Sequence, residues 1–284
     1  MNAFPDPALE TLRRSYPEQP VLLEHQLVGH ELLRLDALAE LAGRIRPVDV
    51  EYNRGDLPVG IDPAATPANG LSVEETIRRI EECGSWMVLK FIEQDEVYRA
   101  FLHEALGGVA PTVRAATGAM LKREGFIFIS SPHAVTPFHF DPEHNILLQI
   151  RGSKTMTIFP PDAEEIVSGE EHERFHNGGH RNLPWQEEYA GHGRPFELSP
   201  GKAVYVPVKA PHWVKNGPEV SVSLSITWRS EWSYREEYAR RMNHLLRRTG
   251  IQPRPPRRYP HQNHLKALGY RVVDKARRMR GARP

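Results

Sequence analysis

The feature that most constrains this chain is a change of rhythm after about residue 120. FIFIS (126–130), NILLQI (145–150), KTMTIFP (154–160), KAVYVPV (202–208) and VSVSLSITW (220–228) are short β-rich runs. Ser-Pro, Arg-Gly-Ser, Pro-Pro-Asp, Ser-Pro-Gly and Asn-Gly-Pro separate them. Many short strands punctuated in this way predict an antiparallel sandwich or barrel.

The flanks read differently. In HELLRLDALAELAGRI (30–45), Leu32, Leu35, Leu38 and Leu41 recur at helical spacing. VDVEYN (48–53) alternates like a strand, and LPVGIDPAATPANG (57–70) is a Pro/Gly-rich loop. Ser72 with Glu75 three residues on predicts a capping box at the start of a helix. WMVLKFIE (86–93) reads as a buried strand and DEVYRAFLHEAL (95–106) as an amphipathic helix. Beyond residue 234, two helical stretches flank the extended IQPRPPRRYP. The expected organisation is mainly β with α flanks. It comprises an N-terminal α/β flank at 1–115, a β core at 116–233 and a basic helical segment at 234–284.

Composition removes several classes. With 39% hydrophobic residues the chain can build a core, but no apolar run approaches the roughly 20 residues a membrane span needs. The first twenty residues carry acids and prolines and no apolar h-region, so no secretory signal is expected. The single cysteine, Cys83, cannot form an internal disulfide and fits a reducing cytoplasm. The formal net charge of +1 hides an asymmetry. Residues 234–284 hold 15 Lys+Arg against 3 Asp+Glu, a balance of +12 that leaves −11 on the remainder. Pairing of tail with body, or a homodimer through the C-terminal helices, is favoured. Nucleic-acid contact by the tail is the weaker alternative, because no binding motif or interleaved aromatic pattern accompanies the charge.

Fourteen histidines invite a search for metal ligands. His139-Phe140-Asp141 is the only His-x-Asp in the chain. On a strand, side chains two apart share a face, so both can reach one ion. His212, in VPVKAPHWVKNG, lies between two β-runs and can complete a two-histidine, one-carboxylate site. Such a facial triad with open positions favours non-haem Fe(II). A competitor is His172-Glu173-Arg174-Phe175-His176, a literal H-E-x-x-H. The zinc-protease reading needs a stable helix, and this segment is short and Gly-bounded. It is expected instead to be a polar surface insertion between strands.

The segments TPFHFDPEHNILLQIRGSKTMTIFPP (136–161) and LSPGKAVYVPVKAPHWVKNG (198–217) resemble the JmjC-type, cupin-like hydroxylases. The resemblance covers about residues 120–230. It implies a double-stranded β-helix, a jelly-roll cupin barrel, and Fe(II)- and 2-oxoglutarate-dependent dioxygenase activity. It implies iron ligands at His139, Asp141 and His212. It implies that Thr136 and Lys154 hold the distal carboxylate of 2-oxoglutarate and that Asn145 lies near the cosubstrate. No side-chain general base is implied. The expected substrate is a C–H bond of a protein or peptide side chain, with dioxygen as co-reactant. The alternatives are a small metabolite or natural product, or a metal-binding cupin without oxygenase activity. Relatives carry a tryptophan just before the last ligand, where this chain has Ala210-Pro211. An asparagine late in their final strand is matched here by Ser225 or Thr227.

Overall fold

The computed structural model describes residues 3–55, 59 and 68–279, so most of the loop read at 57–70 lies outside the described residues. The amino-terminal part contains α1 (Asp6–Ser15), β1 (Val21–Glu24), α2 (Leu35–Arg44), β2 (Val50–Arg54), α3 (Val73–Arg78), β3 (Ser85–Lys90), α4 (Glu96–Ala105) and α5 (Ala110–Thr117). The middle contains β4 (Met120–Ser130), β5 (Val135–His139), β6 (His144–Arg151), β7 (Lys154–Ile158), α6 (Gly169–Phe175), β8 (Arg194–Leu198), β9 (Lys202–Val206), β10 (His212–Asn216) and β11 (Ser221–Ser230). The chain closes with α7 (Glu231–Arg247) and α8 (His264–Met279). No helix among the described residues is long and apolar enough to cross a membrane.

Two antiparallel sheets face each other. The larger has the order β1-β9-β6-β11-β4-β3-β2, the smaller β5-β10-β7-β8. This is the jelly-roll arrangement. The amino-terminal segment contributes three strands to it: β1 pairs with β9, and β2 and β3 extend the sheet beyond β4.

The large sheet is buried on both sides, and the sequence of β11 shows how. In Ser-Val-Ser-Leu-Ser-Ile-Thr-Trp the apolar residues alternate with hydroxyl residues. Val222, Leu224, Ile226 and Trp228 pack outward with Ile127, Ile129, Ile146 and Leu148 against Leu12, Leu38, Leu41 and Leu102 of the flanking helices. Ser223 and Ser225 pair with Gln149 and Leu147 and therefore face the barrel interior. There Leu147, Val204 and Val206 meet Met156, Ile158, Phe196, Leu198 and Val214 of the small sheet. Burying outward-facing side chains of this size stabilises by about 1.5–3 kcal/mol each. That layer holds the sheet while small hydroxyls keep the inside open and polar.

Local chemistry sets the ends of several elements. The Ser72 hydroxyl accepts from Glu75 N–H at 3.2 Å and the Glu75 carboxylate accepts from Ser72 N–H at 2.9 Å, the expected capping box. α3 is short, ending at Arg78. Between β6 and β7 the chain turns at Gly152, with φ +67; a Cβ there would lie 2.3 Å from the Val220 carbonyl oxygen. The turn feeds Lys154 directly into β7.

Candidate metal centre

β5 and β10 run antiparallel with His139 opposite His212, and Val214 opposite Thr136. The register shifts between these pairs, which is a β-bulge at Pro137 and Phe138. Proline suits the bulge because it has no N–H to give to the ladder. Thr136 and His139 are three apart and would otherwise face opposite sides. The extra residue puts both inside, sends Phe138 out, and leaves Asp141 on the same side as His139.

Among the described residues, His139, Asp141 and His212 form the one group of His, Cys, Asp and Glu that could hold a metal ion. Their ligand atoms all lie within 4.8 Å of one another. Asp141 Oδ2 is 3.8 Å from His212 Nε2 and 4.0 Å from His139 Nε2. Each imidazole donates its Nδ1–H to a carbonyl two residues upstream: His139 to Pro137 O at 2.7 Å, His212 to Ala210 O at 2.9 Å. A carbonyl only accepts, so these bonds fix the tautomer and leave each Nε2 lone pair as the free ligand atom. Burial, and then the facing His212, push His139 down to about 3. Burial likewise lowers His212, so both rings are neutral at neutral pH. Burial alone would raise Asp141, but the charge and hydrogen bond of the Arg181 guanidinium oppose it and the carboxylate stays ionised. Two neutral nitrogens and one carboxylate on one face are a donor set that fits Fe(II).

The other expected residues lie on the barrel interior. Lys154 alternates with the core residues Met156 and Ile158 and pairs with Leu198 and Asn216. It is only 6% exposed, and among the described residues its ammonium has no hydrogen-bond or ion-pair partner. Burial lowers its pKa from 10.5 to about 7. Asn145 is buried beside β11 and accepts from the Ser225 hydroxyl at 2.8 Å. Thr227 instead reaches the Glu124 carbonyl at 3.5 Å.

The sequence did not point to Arg181. Its Nη1 lies 2.5 Å from Asp141 Oδ1, the oxygen turned away from the imidazoles. Backbone pairing brings it there: Phe140 N–H donates to Arg181 O at 3.3 Å and Leu183 N–H to Phe138 O at 2.9 Å. Arg181 stands 40 residues from Asp141 in sequence, so no local signal links them.

The H-E-x-x-H segment is not the surface insertion expected. His172, Glu173 and His176 are all buried. α6 is seven residues long and lies under α7, where Arg247 Nε bonds Glu173 at 2.8 Å and His176 Nε2 lies 3.9 Å from Glu236. Arg247 from the basic tail pairs Glu173, whereas the two imidazoles are buried against the Phe140 and Phe175 rings. Phe140, between two candidate ligands, points into this region: its ring centroid is 4.8 Å from that of His172 and 5.1 Å from that of Phe175. The Lys209 ammonium sits 4.7 Å from the centroid of the Phe140 ring. Lys209 adopts φ 67 and donates its N–H to Asp141 O at 2.8 Å.

A jelly-roll barrel with two imidazoles and a carboxylate converging inside it defines a cupin with a mononuclear metal-type site. Residues 87–234, more than half of the chain, match the cupin-like domain family. The chain belongs to that family. Among solved structures it is similar to Escherichia coli YcfD (16% identity, covering 93% of this chain and 66% of that one, TM-score 0.48). It is also similar to YcfD described as a ribosomal oxygenase (13%, covering 96% and 68%, TM-score 0.48). A third is that protein in complex with cobalt and 2-oxoglutarate (14%, covering 93% and 65%, TM-score 0.47). The chain spans about two thirds of the length of those proteins.

Proposed function

We propose that this chain is an Fe(II)- and 2-oxoglutarate-dependent dioxygenase that hydroxylates a C–H bond of a protein or peptide side chain. Iron is held by His139, Asp141 and His212. The observation that carries the reading is Lys154, a buried ammonium without a partner on the same interior face as a two-histidine, one-carboxylate cluster. An unpaired buried cation is costly, and the distal carboxylate of a keto diacid offsets that cost.

Bound iron with 2-oxoglutarate and dioxygen supplies the oxidising chemistry, coupling decarboxylation of the cosubstrate to hydroxylation. This chain's residues do the rest. The two Nδ1–H bonds hold the imidazoles in the ligating tautomer. Lys154 and Thr136 anchor and orient the cosubstrate carboxylate, and Asn145, steadied by Ser225, lines the same chamber. No side chain needs to act as a general base. Near Asp141, burial and the neighbouring carboxylate raise the pKa of Glu143, while Arg181 works against that rise.

The test is succinate formation from 2-oxoglutarate with Fe(II) and ascorbate, abolished in Asp141→Ala. Binding of 2-oxoglutarate without turnover would favour a non-catalytic metal-binding cupin. Mass spectrometry of treated lysate separates a protein substrate from a small metabolite. The lone, half-buried Cys83 suits a cytoplasmic location. The outer face of α8 carries the exposed apolar residues Leu265, Leu268, Val272 and Met279 and supports a homodimer contact. If so, Leu268→Glu with Val272→Glu shifts sedimentation to a monomer; an unchanged state removes the dimer.

A further inference from the structure

We propose that Arg181 is a positioning residue for the metal: it occupies Asp141 Oδ1 so that the carboxylate offers Oδ2 alone to the ion. The proposal rests on the metal-site reading above. Three observations carry it. The guanidinium takes one carboxylate oxygen, at 2.5 Å, while the other faces both imidazole Nε2 atoms at 3.8 and 4.0 Å. The carboxylate is thus already divided between an outer and an inner partner. Second, Arg181 does not reach in from a free loop. Its carbonyl and the Leu183 N–H bond the strand that carries His139, and Asn182 forms an antiparallel bridge with His139 itself. The guanidinium is registered to the ligands by backbone. Third, no other guanidinium or ammonium among the described residues forms an ion pair with Asp141.

An arginine here has two effects of opposite sign. Its charge repels a cation, and its hydrogen bond orients the ligand. The Arg181 side chain is 49% exposed, so solvent screens the repulsion. The bond to Oδ1 is short and charge-assisted, so orientation prevails. Removal of Arg181 must therefore weaken metal binding; a purely electrostatic role would strengthen it. With Oδ1 released, the carboxylate can also ligate through both oxygens and alter the coordination number.

Co(II) is the probe, titrated by calorimetry into the full-length protein and followed by its visible d–d bands. The wild type should bind one equivalent. Arg181→Ala should lose affinity by roughly ten- to a hundredfold, the usual effect of removing a group that orients a metal ligand. Its d–d bands should shift as well. Arg181→Lys, which retains a single donor and the charge, should fall between. The far-UV spectrum of each variant should match wild type. Equal or tighter Co(II) binding by Arg181→Ala and Arg181→Lys, with unchanged bands, overturns the proposal and leaves the metal site intact. Failure of the wild type to bind Co(II), or binding by Asp141→Ala at wild-type affinity, overturns the site reading and this proposal together.

Discussion

Replacing Lys154 by methionine separates a residue kept for a ligand from one kept for the fold. The ammonium is 6% exposed, among core residues, with no partner among the described residues. A pKa brought from 10.5 to about 7 corresponds to a cost on the order of 5 kcal/mol for the charged form. Near neutral pH the group sheds its proton part of the time, which relieves some of that cost. Methionine keeps the stem and removes the charge. Lys154→Met should therefore stabilise the ligand-free protein by about 1–3 kcal/mol. At about 2 °C per kcal/mol for a chain of this size, Tm rises by roughly 2–6 °C. Affinity for 2-oxoglutarate moves the other way. Truncating one member of a buried, hydrogen-bonded charge pair costs about 2–5 kcal/mol, so Kd should rise by roughly thirtyfold or more. Co(II) affinity should change little. The assay is differential scanning fluorimetry of Co(II)-loaded protein with and without 2-oxoglutarate, with calorimetry for both Kd values. The pH dependence has a defined sign. Binding needs the ammonium, so affinity is full below pH 7 and falls as pH rises through about 7, the pKa of the free site. The same depression penalises the ligand-free fold below pH 7, and the penalty fades toward pH 10.5. A variant with a lowered Tm and unchanged 2-oxoglutarate affinity would refute the reasoning.

His212→Ala should abolish Co(II) binding by calorimetry and succinate formation, while the far-UV spectrum stays native. Burial lowers His25, His144, His172 and His176, so the unfolded chain takes up more protons below about pH 6.5. Stability should then decline toward acid by about 1.4 kcal/mol per pH unit for each such histidine; urea midpoints that match at pH 7.5 and 5.5 would contradict this. Glu173→Ala removes one of the two carboxylates that pair Arg247, Glu170 being the other, at a position that is 1% exposed, and should cost about 2 kcal/mol in chemical denaturation. The double variant with Arg247→Ala should lose less than the sum of the two single changes.

The sequence made the core strands legible because their chemistry is repetitive. β4, β6, β7, β9 and β11 are each a run of alternating or continuous apolar residues, and the Ser72 cap announces itself by composition. α5 (APTVRAAT) and β8 (RPFEL) escaped notice: one has a weak apolar face, and the other is five residues with only Phe196 and Leu198 turned in. The ligand triad was legible because His139 and Asp141 stand two apart and His212 is the single histidine among the late β-runs; in the fold His139 closes β5, Asp141 lies just beyond it and His212 opens β10. Arg181 was not, since its position depends on a ladder between residues 181–183 and 138–140 that no local pattern specifies. The burial of His172 and Glu173 was misjudged for a related reason. Flanking glycines and many charges suggest exposure, and only the partner charges on α7, some seventy residues on, reverse that inference.

Phe140 carries a consequence for how this molecule can change. The residue between two candidate ligands is wedged, on its far side, against an element that Arg247 of α7 tethers through Glu173 and Glu170. The wall behind the candidate metal cluster is thus braced by α7. Shortening or remodelling α7 would loosen the segment that carries His139 and Asp141 from behind, even though α7 contributes no candidate ligand. A substitution on α7 should therefore be felt at the candidate ligands through Phe140, without any change in the ligands themselves.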